Sequence, residues 1–263
     1  MGVASGAVKL FALRALQRTR LLLPAYRAYE AVRSLRRGAQ ASEADGLPLP
    51  PPRLRLTVAG TADPEWFLSS GRAAADSIRD ALPVELESLG AVLDFGCGCG
   101  RVVRWWQELP GEVHGTDYNP GLVAWCRANL PFATFDVNAI EPPLPYARDR
   151  FDLVYALSVL THLPEPTQVA WLHELHRVSR EWVLVTVHGD VYRERLTADE
   201  RAAFDAGDVV VRWGEVPGTN LCTTFHPRAA VERLVAGRFE IVTFVPEGAR
   251  GNPQQDLYLL RRT

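Results

Sequence analysis

The chain has 263 residues, of which 47% are hydrophobic and 23% charged, and its formal net charge is −2. That length buries one sizeable core with room for a small appendage, and the charge balance argues against a nucleic-acid binder. Four cysteines, Cys97, Cys99, Cys126 and Cys222, are too few for a disulfide scaffold at this size and fit a reducing, cytoplasmic compartment.

In chain order, residues 1–40 carry eight basic side chains against the single Glu30, or +7, leaving about −9 for the remainder. Residues 7–38 read as a basic amphipathic helix interrupted near Pro24, with Leu10, Phe11, Leu13, Leu16 and Leu21 to Leu23 among the arginines. Such a segment suits an anionic membrane surface, or packs on its own domain or on the partner of a homodimer. No signal peptide or membrane span is expected, since "LLLPAY" is short and broken by proline. Residues 41–57, "ASEADGLPLPPPRLRLT", read as a stiff proline-rich linker.

From residue 58 onward the pattern is that of one domain. Asp63 and Pro64 are a helix N-cap and first position. Then "AVLDF" (91–95), "EVHGTD" (112–117), "FATFDV" (132–137), "FDLVYAL" (151–157) and "WVLVTV" (182–187) read as strands. Helical patterns alternate with them at 101–109, 121–130 and 167–178. This alternation predicts an α/β, doubly wound, mostly parallel sheet. "FEIVTFV" (239–245) and "DLYLLRR" (256–262) read as a closing antiparallel hairpin, and residues 190–226 as an insertion over the active face.

The stretch "VLDFGCGCGR" (92–101) carries the functional signal. Ligands in such sheets bind at the carboxyl ends of the strands, and glycines there let a ligand approach the backbone. A dinucleotide site reads G-x-G-x-x-G; here the pattern is D-x-G-x-G-x-G. Asp94 at the strand end suits an ammonium group, and Asp117, ending the next strand, can accept two ribose hydroxyls. An amino acid joined to a ribose points to S-adenosylmethionine.

With "GTDYNPGLVAWCR" and "FDVNAIEPPLPYARDRFDLVYALSVLTHL", the chain resembles the class I S-adenosylmethionine-dependent methyltransferases of the bacterial small-molecule type. The resemblance implies seven strands in the order 3-2-1-4-5-7-6, the last antiparallel. It implies that Asp94, Gly96, Cys97, Gly98 and Gly100 surround the methionine part, that Asp117 holds the ribose, and that Tyr118, Asn138 and Ala139 lie by the adenine. Asn138 stands where the family often has Asp, and the family's "PGG" turn before the fifth strand is replaced by "RVSREW".

Methyl transfer to a hydroxyl is helped by a base near neutral pKa, usually histidine. His162 and His188 follow the fourth and fifth strands. In the implied strand order Asp256 begins the strand beside His188, which suggests a His188–Asp256 pair with the acid orienting the ring. Asn220 and His226 are candidate substrate contacts, with a turn and a helix cap as their bland readings. His173 and His176 read as solvated, and no metal is expected. The acceptor is expected to be a small molecule, with a sugar, polyketide or other secondary metabolite methylated on oxygen, and no nucleic acid. A membrane-peripheral location would make a lipid-linked saccharide a natural substrate. A nicotinamide-dependent oxidoreductase and a catalytically silent cofactor-binding scaffold are the competing readings.

Overall fold

The computed structural model describes residues 43–252 and 254–263, together with residues 16, 17, 21, 22, 24, 25 and 28. Most of the 7–38 segment therefore lies outside the described residues. Those that are described break at Leu21, with Pro24 in the helical turn that follows, a position where proline is tolerated. Leu22 is 3% exposed and packs with Val216 and Leu221, flanked by Leu16 and Trp213. Here the segment rests on its own domain. Among the described residues no helix is long and apolar enough to cross a membrane.

Residues 43–59 do not form the extended linker that their prolines suggest. Strands β1 (Glu43–Ala44) and β2 (Leu47–Pro48) make a small hairpin, and α1 runs over Pro52–Ala59. Pro52 opens the helix because its fixed φ suits the first helical position and its missing N–H is not needed there. The hairpin is tied down by Arg104, fully buried, whose Nε and Nη2 donate to the two oxygens of Asp45 at 2.8 and 2.6 Å. Arg55, 1% exposed, donates to the carbonyls of Pro50 and Ala62. Asp45→Ala would leave the Arg104 charge buried without its carboxylate, and is expected to cost about 3–5 kcal/mol. Urea titration checks this; a loss below about 1 kcal/mol would show the hairpin to be dispensable.

The central sheet has seven strands in the order β10-β11-β7-β6-β3-β4-β5, with β3 (Ala91–Phe95), β4 (Glu112–Asp117), β5 (Thr134–Val137), β6 (Phe151–Ala156), β7 (Ser179–Val187), β10 (Phe239–Val245) and β11 (Asp256–Arg262). Only β11 runs antiparallel to the others. Counted along the sheet's own strands, this is the expected order 3-2-1-4-5-7-6. Alternation along β3 feeds both faces: Val92 points to one core, and Ala91, Leu93 and Phe95 to the other. Helices α2 (Pro64–Ala81) and α3 (Pro120–Asn129) cover the first face; α4 (Glu165–Val178) and α6 (Arg228–Val235) cover the second. Asp63 caps α2 through Glu65 N, as its sequence position suggests.

Residues 101–109 depart from the expected helix. Only Val103–Trp106 is helical, and as a 3-10 turn. Its β-branched and aromatic side chains are weak helix formers, and two residues of the turn are committed to distant partners: Arg104 to the hairpin and Trp106, through Nε1, to the Tyr155 hydroxyl at 2.8 Å. The insertion at 190–226 holds a 3-10 turn (Asp190–Arg195), α5 (Ala198–Asp205) and a two-stranded ladder of β8 (Val210–Arg212) with β9 (Thr223–Phe225).

Candidate active site

A cavity of about 830 Å³ opens at the carboxyl ends of β3, β4, β5 and β6. The glycine turn after β3 forms its floor. Gly96 and Cys97 both donate their amides to Thr116 O at 2.8 Å, which folds the turn back onto β4. Gly96 has φ +83°, and a Cβ there would lie 2.4 Å from Val159; side-chain-bearing residues are excluded on both counts. Gly100, at φ +77°, would meet Leu130 at 2.4 Å. It does not border the cavity, so its role is close packing and not the ligand contact expected of it.

Two carboxylates face this floor. Asp94 is 4% exposed, and burial pushes its pKa up to about 7 against the opposing effects of the Tyr155 hydroxyl and the Arg101 charge. Asp117 is pushed up by burial to about 6, although its Oδ2 accepts from Gly98 N at 2.9 Å and its Oδ1 from Asn119 N at 2.8 Å. Each Asp117 oxygen keeps a lone pair after those bonds. Groups that are this costly to ionise when alone become favourable beside a ligand's cation or hydroxyl donors. Tyr118, 40% exposed, borders the cavity with Asn138 and Ala139. Asn138 donates to Ala139 O at 2.7 Å, and its own buried Oδ1 lacks a partner, an acceptor available to a ligand amine. These acceptors fit the ammonium, ribose hydroxyls and adenine amine of an adenosine joined to an amino acid.

Further lining residues carry no sequence signal of their own. Thr57 to Ala59 come from α1, Glu215 to Thr219 from the insertion, and Gly251, Asn252 and Gln255 from the connection between β10 and β11. Arg101 also borders the cavity but is already engaged, donating to Gly251 O at 3.0 Å, Asn252 Oδ1 at 2.5 Å and Ser70 Oγ at 3.3 Å. Burial lowers its pKa to about 10, against the pull of Asp94.

The histidines separate clearly. His162 borders the cavity. Its Nδ1 lies 2.8 Å from Cys222 O; a carbonyl only accepts, so Nδ1 carries the proton and Nε2 keeps a lone pair. Burial lowers its pKa below 6.5, so the ring is neutral at pH 7. His188 does not border the cavity, and its expected pair with Asp256 is not formed. Its Nδ1 faces Thr224 O at 3.1 Å, and its Nε2 faces Gln255 Nε2 at 3.5 Å. The strand adjacency is as expected, but the register sets Asp256 opposite Val187. That leaves Gln255, one residue earlier, beside His188. Asp256 instead accepts from Glu247 N at 2.9 Å.

Asn220 borders the cavity, with its Nδ2 donating to Thr57 O at 2.7 Å across the rim. His226 lies outside the cavity, 1% exposed, with Nε2 2.9 Å from Gln168 Oε1. It is neither a substrate contact nor a cap, since α6 is preceded by Pro227 with no side-chain cap bond. His176 packs edge-on against Phe239.

Residues 92–181 match the methyltransferase domain family. The chain is 32% identical over 96 residues to Methyltransferase GfsG of Streptomyces halstedii, covering 34% of each chain. It is 33% identical over 85 residues to a malonyl-[acyl-carrier protein] O-methyltransferase of Enterobacter lignolyticus, covering 32% of this chain and 33% of that one. The matched stretch is about a third of the length of these relatives. In structure the chain is similar to the magnesium protoporphyrin IX methyltransferase of Synechocystis with bound S-adenosylhomocysteine, with a TM-score of 0.53, 18% identity, and coverage of 75% of this chain and 86% of that one. Residues 92–181 thus carry the methyltransferase-domain match, and the seven-stranded sheet around them has the fold of that S-adenosylhomocysteine-bound methyltransferase.

Proposed function

We propose that this protein transfers a methyl group from S-adenosylmethionine to a hydroxyl oxygen of a small, uncharged acceptor such as a sugar or another secondary metabolite. The observation that carries the reading is His162, a neutral ring on the cavity wall with Nδ1–H fixed by Cys222 O and Nε2 left as a base.

S-adenosylmethionine supplies a methyl group on a sulfonium, and the carbon–sulfur bonding pair returns to sulfur as the methyl leaves. Asp94 would hold the ammonium of its amino acid, Asp117 the ribose hydroxyls, and Asn138 with Tyr118 the adenine. The protein's task is then to align the acceptor oxygen and to remove its proton. The oxygen lone pair forms the new bond to carbon as the proton passes to His162 Nε2.

The uncharged acceptor follows from the lining. Among the described residues bordering the cavity the only arginine or lysine is Arg101, which donates to Ser70, Gly251 and Asn252 and whose charge acts on Asp94. A carboxylate acceptor, as in the malonyl-carrier relative, would find here one buried guanidinium that already faces the Asp94 charge. Glu215 on the rim adds negative character.

The cofactor half is tested by pH-dependent calorimetry with S-adenosylhomocysteine. Both carboxyls hold protons more tightly in the ligand-free fold than in the unfolded chain. The ligand-free protein is therefore expected to lose stability as pH rises from about 4 through 7. Binding favours the ionised forms and releases protons, so affinity should weaken as pH falls from about 8 to below 6. Asp94→Asn should raise the melting temperature of the ligand-free protein at pH 8 while weakening binding. Affinity that is flat across this range, or that strengthens in acid, would count against these two carboxylates as the ligand's anchors. The transfer half is tested by S-adenosylhomocysteine release with matched neutral alcohols and carboxylic acids. Turnover confined to the acids would overturn the reading.

A further inference from the structure

A closed hydrogen-bond ring lies in the cavity wall at the point where three strands meet. Ser158, just past β6, donates its amide to Thr186 Oγ1 of β7 at 2.8 Å. Thr186 Oγ1 donates to Gln255 Oε1 at 2.8 Å, and Gln255 Nε2, just before β11, donates to Ser158 Oγ at 2.8 Å. The direction of every bond is fixed. An amide N–H can only donate, so the Thr186 hydroxyl receives it and passes its own proton to the Gln255 carbonyl oxygen. His188 holds the amide the same way round: with its proton on Nδ1 toward Thr224 O, its Nε2 lone pair would repel an oxygen in the place of Gln255 Nε2.

The ring ends on Ser158. Thr161 spends its hydroxyl proton on Ser158 O at 2.9 Å, so at the 3.1 Å contact between the two hydroxyls Ser158 is the donor. The Ser158 proton is thus used, and one of its two lone pairs is used by Gln255. One lone pair remains, on a residue that borders the cavity. Ser158 has φ +59°, a left-handed conformation that is strained for serine and that the surroundings must hold in place. The Thr186 bond to its amide does this.

Ser158 and His162 stand four residues apart on one turn, and both border the cavity. Toward a ligand each offers a hydrogen-bond acceptor and no donor. We infer that the acceptor brings two neighbouring hydroxyl donors: a vicinal diol, one hydroxyl held by Ser158 Oγ while the other gives its proton to His162 Nε2 and is methylated. The inference rests on the methyltransferase reading above and narrows its substrate class. A primary amine also carries two donors, but at neutral pH it is protonated and has no lone pair for the methyl group.

The full chain is assayed with S-adenosylmethionine and paired neutral acceptors, each a vicinal-diol glycoside or cyclitol beside its monodeoxy counterpart, reading release of S-adenosylhomocysteine. We expect kcat/KM at least about 100-fold lower on the monodeoxy member. In Ser158→Ala, and in Ser158→Gly, which also removes the backbone strain, this ratio should fall below about tenfold, with the affinity for S-adenosylhomocysteine kept within about threefold. Equal turnover of the two members overturns the diol inference and leaves methyl transfer standing. So does a ratio unchanged in both serine variants. No turnover of any pair by protein that binds S-adenosylhomocysteine overturns the diol inference and leaves only cofactor binding. Absence of S-adenosylhomocysteine binding by folded protein overturns the reading beneath it.

Discussion

Asp117→Ala is expected to weaken binding of S-adenosylhomocysteine by about 100-fold or more. The carboxylate is positioned by two backbone amides, Gly98 N and Asn119 N, one on each oxygen. The remaining lone pairs are aimed at ribose hydroxyls in the proposed complex. Hydrogen bonds to a charged group contribute about 1.5–3 kcal/mol each, and two of them exceed a factor of 100 in affinity. Alanine also strips the two amides of their acceptor, so folding must be checked by near-ultraviolet circular dichroism. Asp117→Asn retains one acceptor oxygen and should lose only about tenfold. Calorimetry separates these outcomes: an alanine variant that is folded and binds within threefold of the parent would remove Asp117 from the cofactor site.

His162→Gln should act on the opposite quantity. Glutamine keeps a donor but has no basic nitrogen, and loss of a positioned base lowers kcat by about 10²–10⁴-fold. The affinity for S-adenosylhomocysteine should hardly change. The pH profile gives the sharper test. His162 works as a base only when neutral, and burial lowers its pKa from 6.5. The parent rate should therefore be level above pH 7 and fall only in a limb lying below 6.5. The variant's residual rate should lack that limb. Full activity in His162→Gln would leave proximity as the whole of the catalysis. His188→Gln is the comparison, since its Nε2 faces Gln255 and not the cavity.

What could be read before folding follows from short-range rules. Alternating apolar strands and helices dictate a parallel sheet, and the resemblance to the family supplied the strand order that the seven-stranded sheet adopts. Asp94, Gly96, Cys97, Gly98, Asp117, Tyr118, Asn138 and Ala139 are contiguous with strand ends, and those ends converge on one cavity. Gly100 belongs to the same motif but serves packing, because successive residues of a tight turn face different ways.

The proposed acceptor side escaped the sequence for a different reason. Ser158 and Gln255 are 97 residues apart, and nothing in "ALSVLT" or "PQQDLY" marks them. Their meeting depends on the register of β11 on β7. A one-residue difference there replaced the expected His188–Asp256 pair by His188 and Gln255, since neighbouring residues of a strand point to opposite faces. The proline-rich stretch at 41–57 misled in a similar way: proline opens helices as readily as it extends linkers, and the buried Arg104 that recruits Asp45 lies 59 residues away.

The sequence by itself determined the sheet, its glycine turn and the two carboxylates beside that turn, because these rest on periodicity and on residues adjacent in the chain. Only the tertiary structure decided which histidine borders the cavity, what Arg101 is bonded to, and which groups surround the Ser158 hydroxyl. Those are properties of hydrogen-bond partners brought together from distant strands, and a partner's identity is fixed only when the register is.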